Sequence, residues 1–177
     1  MLVAATLLLT ACGVPLDSAP ETIEVDLGDA PELDLPVGDD LEAVTFYLIE
    51  QGNLVPVTHE LPAPVGPDSV ARFLVEGIDP TDRGAGLRTS IPTGTRVLAV
   101  DRESGMVRVN LSRDFAAVGG EEELLAVAQV VLTLTDLEGV DGVAFELEGV
   151  ATDVPLPNGA LSDDPLGADD YRSLIAG

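Results

Sequence analysis

Cys12 is the only thiol in this 177-residue chain and His59 the only imidazole, so nucleophilic and metal chemistry have few residues to draw on. A serine-type hydrolase needs a nucleophile, a base and an orienting acid. No Gly-x-Ser-x-Gly elbow occurs, and His59 stands in Thr58-His59-Glu60-Leu61 at the end of an extended run, where a surface position is expected. One His and one Cys leave carboxylates as metal ligands, a set suited at most to structural Ca²⁺ or Mg²⁺. The 32 acids are too abundant to single out a glycosidase pair, and platforms for sugars are scarce with no Trp and only Tyr47 and Tyr171. Phosphate loops of the Gly-x-x-x-x-Gly-Lys or Gly-x-Gly-x-x-Gly type are absent as well. The expectation is of a protein that is not an enzyme and carries no cofactor and no metal.

Cys12 has a different chemistry within reach. Leu9-Thr10-Ala11-Cys12 closes the apolar run Leu2 to Leu9 with the small-residue pattern of a lipoprotein cleavage site. The run has the length of a signal-peptide core and falls short of the ~20 residues of a spanning helix. A lone cysteine has no internal disulfide partner, and Cys12 stands where a diacylglyceryl thioether is attached once residues 1–11 are removed. At ~0.8 kcal/mol per buried CH₂ one acyl chain holds only marginally, so two are needed for stable anchoring. Leaders of this kind open with Lys or Arg, and Met1 running straight into apolar residues points to a translation start a few codons upstream.

Charge sets the next bound. The net charge is −24, with 32 acids against 8 arginines and no lysine. Phosphate contacts need a basic stripe, so nucleic acid is excluded as a partner. The same field opposes docking on anionic headgroups, which leaves acyl chains as the route to a membrane. From Asp17 to Glu42 acids recur with no basic residue, interleaved with Pro20, Pro31 and Pro36. Self-repulsion extends such a segment, so residues 12–42 read as an acidic tether.

Elements able to form a core begin near Ala43. Val44 to Ile49 is β-branched and aromatic, Gln51-Gly52-Asn53 signals a turn, and Leu54 to Thr58 follows as a second strand that Pro56 confines to a sheet edge. Asp68 is placed to cap a short helix, Ser69 to Glu76, with Val70, Phe73 and Leu74 on one face and Gly77 as its stop. Ile78 to Gly94 reads as a loop with at most one helical turn, and Arg83 and Arg88 are its basic pair. Arg96 to Asp101 and Met106 to Leu111 are strands joined at a turn where Gly105 supplies a positive φ. Glu121 to Leu137 is the longest helix, opened by three glutamates that suit its positive end. Its apolar stripe is Leu124, Val127, Ala128, Val131 and Leu134, widened by Leu125 and Leu132. Val143, Phe145 and Leu147 alternate with Glu146 and Glu148 as a last strong strand. Residues 158–177 read as a loosely wrapped tail with Leu161, Leu166, Tyr171 and Leu174 as docking points. The order predicts an α+β domain of two layers, a small, mostly antiparallel sheet with two helices packed on one face.

Gly84-Ala85-Gly86-Leu87-Arg88-Thr89-Ser90-Ile91-Pro92-Thr93-Gly94-Thr95-Arg96-Val97-Leu98-Ala99-Val100 resembles the GerMN domain of the sporulation and spore-germination family. Leu54 to Thr58 is similar to its early strand, and Phe73 to Thr81 to its helix and following Gly-Pro-Thr, here with Ile78-Asp79 inserted before the proline. Val107 to Ser112 with Phe115 resembles its second hairpin strand, and Ala128 to Thr135 with Gly139 to Val143 its long helix and final strand. The resemblance covers Val44 to about Pro157, giving a domain at residues 43–157. It implies a fold like that of ring-building envelope domains, a non-catalytic role, and occurrence in extracytoplasmic lipoproteins. Larger lipoproteins of this kind carry a β-propeller after the domain and adjust a sensor kinase, and residues 158–177 are too few for one.

The functional expectation is therefore a lipid-anchored module on the extracytoplasmic face of the cell membrane, acting by contact with other envelope proteins in cell-envelope or sporulation and germination processes. The expected contact surface is the segment carrying Arg83 and Arg88. The alternative is a lipoprotein that binds a solute or wall polymer, for which a closed apolar pocket is the discriminating feature.

Overall fold

The computed structural model describes residues 40–77 and 79–177, so the leader, Cys12 and nearly all of the acidic tether lie outside the described residues. Strands β1 (Leu41–Glu50) and β2 (Asn53–Pro62) form an antiparallel hairpin. Its turn residues Gln51 and Gly52 both have positive φ, the condition of a tight two-residue turn that follows the strand twist. Glu50 and Asn53 close the turn, and alternation along the register sets the backbone groups of Leu41, Ala43, Thr45, Tyr47 and Ile49 outward, away from β2. Pro56 stands opposite Tyr47, so its missing N–H faces the outer edge of β2, in keeping with the edge position expected of it.

Helix α1 (Pro67–Glu76) begins two residues before its expected start, and Asp68 is not its cap. Pro67 presets the first helical residue, Gly66 is the cap, and the Gly66 N–H donates to Ser69 Oγ at 3.0 Å. Asp68 instead accepts from Arg72 one turn on, at 2.8 and 3.0 Å. The single turn α2 (Pro80–Gly84) follows, then β3 (Val97–Glu103), β4 (Met106–Leu111), a 3₁₀ turn at Arg113–Ala117, α3 (Glu121–Thr135) and β5 (Gly142–Leu147). A short β6 (Val150–Ala151) completes a four-stranded sheet of order β3-β4-β5-β6. The β4–β5 pair is parallel with α3 as the crossover, and the other pairs are antiparallel. Val107, Val109, Leu111, Val143 and Phe145 bury one face of this sheet against α3.

The β3–β4 turn is Ser104-Gly105, with φ of 51° and 84°. A Cβ on Gly105 would run into the Asp141 carboxylate, and the Asp141 N–H donates to the Gly105 carbonyl at 2.7 Å. Gly105→Ala is expected to cost about 1–2 kcal/mol in urea unfolding, because alanine is strained at positive φ and must displace that carboxylate.

α3 departs from the one-sided stripe that its sequence suggests. Every residue from Leu125 to Leu134 is buried, Gln129 and Thr133 included, because the helix is flanked by β1, α1, β5, α4 (Ala168–Tyr171) and β7 (Val154–Pro155). Only Glu121 and Glu122, at its start, are exposed. The C-terminal segment is likewise anchored and not loosely wrapped. β7 pairs with β8 (Leu161–Ser162), Leu166 exchanges backbone bonds of 2.9 Å with Val143, and the Ala176 N–H donates to Leu54 O at 2.8 Å. Leu166 and Tyr171 are buried and Leu174 half-buried, whereas Leu161 is 65% exposed.

Candidate functional site

The arginine-bearing segment that follows α1 is fastened to the core at several points. Asp79 caps α2, accepting from the Thr81 N–H at 2.6 Å, and the Asp82 carbonyl receives the N–H groups of Ala85 and Leu87. Arg88 then pairs as a strand would with Ile49, through backbone bonds of 2.8 and 2.9 Å. This occupies the outward groups of Ile49 on β1. The outward groups of Tyr47 are taken by α3: its N–H donates to Thr133 Oγ1 at 3.1 Å and its carbonyl accepts from Gln129 Nε2 at 2.9 Å. Gln129 Oε1 in turn accepts from the Ser90 N–H at 2.8 Å and the Thr89 hydroxyl at 3.2 Å. One buried amide thus clamps the segment and β1 onto the central helix, and Ile91, 6% exposed, closes the seam. The hairpin stands as a two-stranded sheet of its own, and at Tyr47 side chains of α3 take the place of a neighbouring strand.

The two arginines expected at a partner surface are held by different elements. Arg83 lies exposed on α2. The Arg88 guanidinium reaches Glu122 at 2.9 Å and the Ser90 hydroxyl at 3.0 Å, and the Ser90 hydroxyl also donates to Glu122. The hydroxyl and the guanidinium together hold the Glu122 carboxyl below the usual carboxylate range. A depressed carboxylate stabilises the fold above its ordinary pKa, and that contribution fades as pH falls through the lowered value. With both side chains nearly half-exposed, Arg88→Ala is expected to cost under about 1 kcal/mol while the Glu122 titration, followed by NMR, moves up.

His59 is not the surface histidine that its strand-end position suggests. Its ring packs against Phe46 and Phe73, with centroids 5.6 and 5.4 Å away, and Phe46 and Phe73 lie 4.8 Å apart. Nε2 stands 2.9 Å from Oδ2 of Asp82, a buried oxygen on which no hydrogen-bond donor is well aligned. Sequence order hid this pairing, because β2 and α2 meet only through the return of the chain after α1. Asp79 lies close by, its carboxyl held low first by the Thr81 backbone N–H, then by the Thr81 hydroxyl, with His59 a smaller contribution. The residues around the pair, Phe46, Leu48, Phe73, Leu74, Gly77 and Asp79, include no hydroxyl or thiol for His59 to activate. The space among them is about that of one water. His59 and Asp82 therefore fasten α2 onto the hairpin, and no group of three or more His, Cys, Asp or Glu that could hold a metal occurs among the described residues.

The family model for sporulation and spore germination, Germane, matches residues 45–153. The chain belongs to that family. The match runs from within β1 to the residue before β7, so it spans the hairpin, the arginine-bearing segment, α3 and β5. Among solved structures, the first GerMN domain of the sporulation protein GerM from Bacillus subtilis is 27% identical, with a TM-score of 0.56 over 73% of this chain and 99% of that one. The tandem GerMN domains of the same protein align at 26% identity and a TM-score of 0.57, where this chain spans 47% of the pair's length. A candidate lipoprotein from Clostridium perfringens shares the fold at 16% identity, a TM-score of 0.51 and coverage of 80% and 95%. No match to a curated protein was found. The expected α+β architecture and the expected family are thus both those of this GerMN chain. No helix among its described residues is long and apolar enough to cross a membrane.

Proposed function

We propose that this GerMN chain is a lipid-anchored, extracytoplasmic module that acts without catalysis, through protein contacts made by the segment carrying Arg83 and Arg88, in cell-envelope or sporulation and germination processes. The observation that carries the reading is the fastening of that segment. A loop held by Ile49, Gln129, Glu122 and the His59–Asp82 contact presents its outer side chains in a fixed arrangement, which lowers the ordering cost of binding a partner. The apolar pocket behind it has room for about one water, and the hollows of several hundred Å³ elsewhere on the domain carry charged side chains such as Glu103, Arg108, Asp136 and Glu138 in place of a closed apolar lining, which favours a protein partner over a solute. Attachment at Cys12 supplies the membrane location, since a chain of net charge −24 is repelled by anionic headgroups.

The test is site-directed photo-crosslinking in intact cells, with a photoreactive residue at position 83 or, separately, at position 88. The expected result is one envelope protein captured from both positions, with capture weakened when the other arginine is replaced by glutamate. Recovery of uncrosslinked chain from both positions would overturn the reading.

A further inference from the structure

We infer that the open part of the β1 edge receives an extended, basic peptide segment of a protein partner, paired to Leu41–Thr45 as an added strand. Of the outward backbone groups on β1, those of Ile49 are paired with Arg88 and those of Tyr47 with Thr133 and Gln129. The outward N–H and C=O groups of Ala43 and Thr45 have no partner among the described residues. Ala43 is exposed and Thr45 half-buried, so the row is within reach of another chain. An unpaired row of this kind is a template for strand addition, in which backbone bonds supply affinity and flanking side chains select the sequence.

The other exposed edge of the hairpin is guarded against such pairing. β2 sets Leu54, Pro56, Thr58, Glu60 and Pro62 outward; the two prolines donate nothing and Leu54 accepts from Ala176. β1 carries no proline in its open part.

The chemistry of the groove selects the occupant. Beside Glu42–Thr45 runs a hollow of about 300 Å³ whose other lining includes Val65, Arg102, Asp136, Leu137 and Glu138. Arg102 donates to the carbonyls of Glu138 and Gly139 at 3.1 and 2.8 Å and keeps its charge, so the three carboxylates of Glu42, Asp136 and Glu138 against one guanidinium leave the hollow net negative. Val65 and Leu137 offer an apolar strip between them. A strand alternating Lys or Arg with an aliphatic residue matches that lining. A second copy of this chain does not, because the same three carboxylates would meet each other. This surface is separate from the Arg83 and Arg88 segment, so either can fail without the other.

The experiment titrates acetyl-Lys-Val-Lys-Val-Lys-amide into the ¹⁵N-labelled protein at about 0.15 M salt, where long-range attraction to a −24 chain is largely screened. Binding is expected to shift the amides of Leu41–Thr45, Arg102 and Asp136–Glu138. The same peptide N-methylated at every residue keeps its charge and loses its donors, and it should bind about tenfold more weakly or worse. Thr45→Pro removes one outward donor while leaving the hairpin bonds in place, as Pro56 does on β2, and should weaken binding to a similar degree. If that variant loses the native amide spectrum, the methylated peptide on the unaltered chain decides. Absence of binding, equal binding of both peptides, or shifts that fall elsewhere would overturn the inference.

Discussion

Gln129→Leu is expected to destabilise the domain by about 2–5 kcal/mol, although leucine suits the helix and the apolar surroundings better than glutamine does. The cost lies in what the amide leaves behind. Gln129 is fully buried, its Oε1 accepts from the Ser90 N–H and its Nε2 donates to the Tyr47 carbonyl. Leucine strands both backbone groups away from water, at about 1–3 kcal/mol each. The measurement is urea unfolding of the variant and the parent, joined by hydrogen exchange at the Ser90 amide, which should speed up far more than amides on β4 or β5. A loss below about 1 kcal/mol would show that water or a neighbour replaces the amide, and the clamp on the arginine-bearing segment would then be less rigid than its bonds imply.

Tyr171→Ala is expected to cost about 3–5 kcal/mol, the range for emptying a large aromatic site in a core. Tyr171 is fully buried near the chain end, and its hydroxyl donates to the Pro155 carbonyl at 2.8 Å, joining α4 to β7. Tyr171→Phe keeps the ring and loses one bond, so about 1 kcal/mol is expected. Burial, helped by the nearby Asp170 charge, pushes the phenol pKa well up. The folded state therefore holds this proton more tightly than the unfolded chain, whose tyrosine titrates near 10. The contribution is complete below about pH 10 and declines as pH rises from there toward the raised folded value. Unfolding free energies measured at increasing alkaline pH should fall for the parent and fall less for Tyr171→Phe.

Local pattern carried much of this fold. The alternation at Val107, Val109 and Leu111, the turn at Gly105 and the glutamate-led start of α3 are each signalled within a few residues, because each depends on neighbours in the chain. What the pattern missed depends on partners far away in sequence. Gln129 interrupts an apolar helix, and a polar residue among valines and alanines is a sign of a buried bond, but its partners at Tyr47 and Ser90 are 82 and 39 residues distant. His59 and Asp82 meet through a return of the chain that periodicity does not describe. Asp68 has the chemistry of a cap and lost the position to Gly66 because Pro67 fixes where the helix begins. The tail reads as loose from its prolines, yet buried Leu166 and Tyr171 and backbone bonds to Val143 and Leu54 fasten it to the core.

The same distinction applies to the site. Arg83 and Arg88 stand out in an acidic chain from composition alone, whereas the bonds that hold their segment, to Ile49, Gln129 and Glu122, exist only in the fold. The fastening of this segment is thus a tertiary property, to which Gln129 contributes through its bonds to Ser90, Thr89 and Tyr47.

Whether this GerMN domain is held outside the cytoplasm on a lipid anchor is decided by intact mass analysis of the N-terminal fragment of protein purified from cell membranes. The expected fragment begins at Cys12 and carries a diacylglyceryl thioether. A fragment that retains Met1 to Ala11 with a free Cys12 thiol would contradict it.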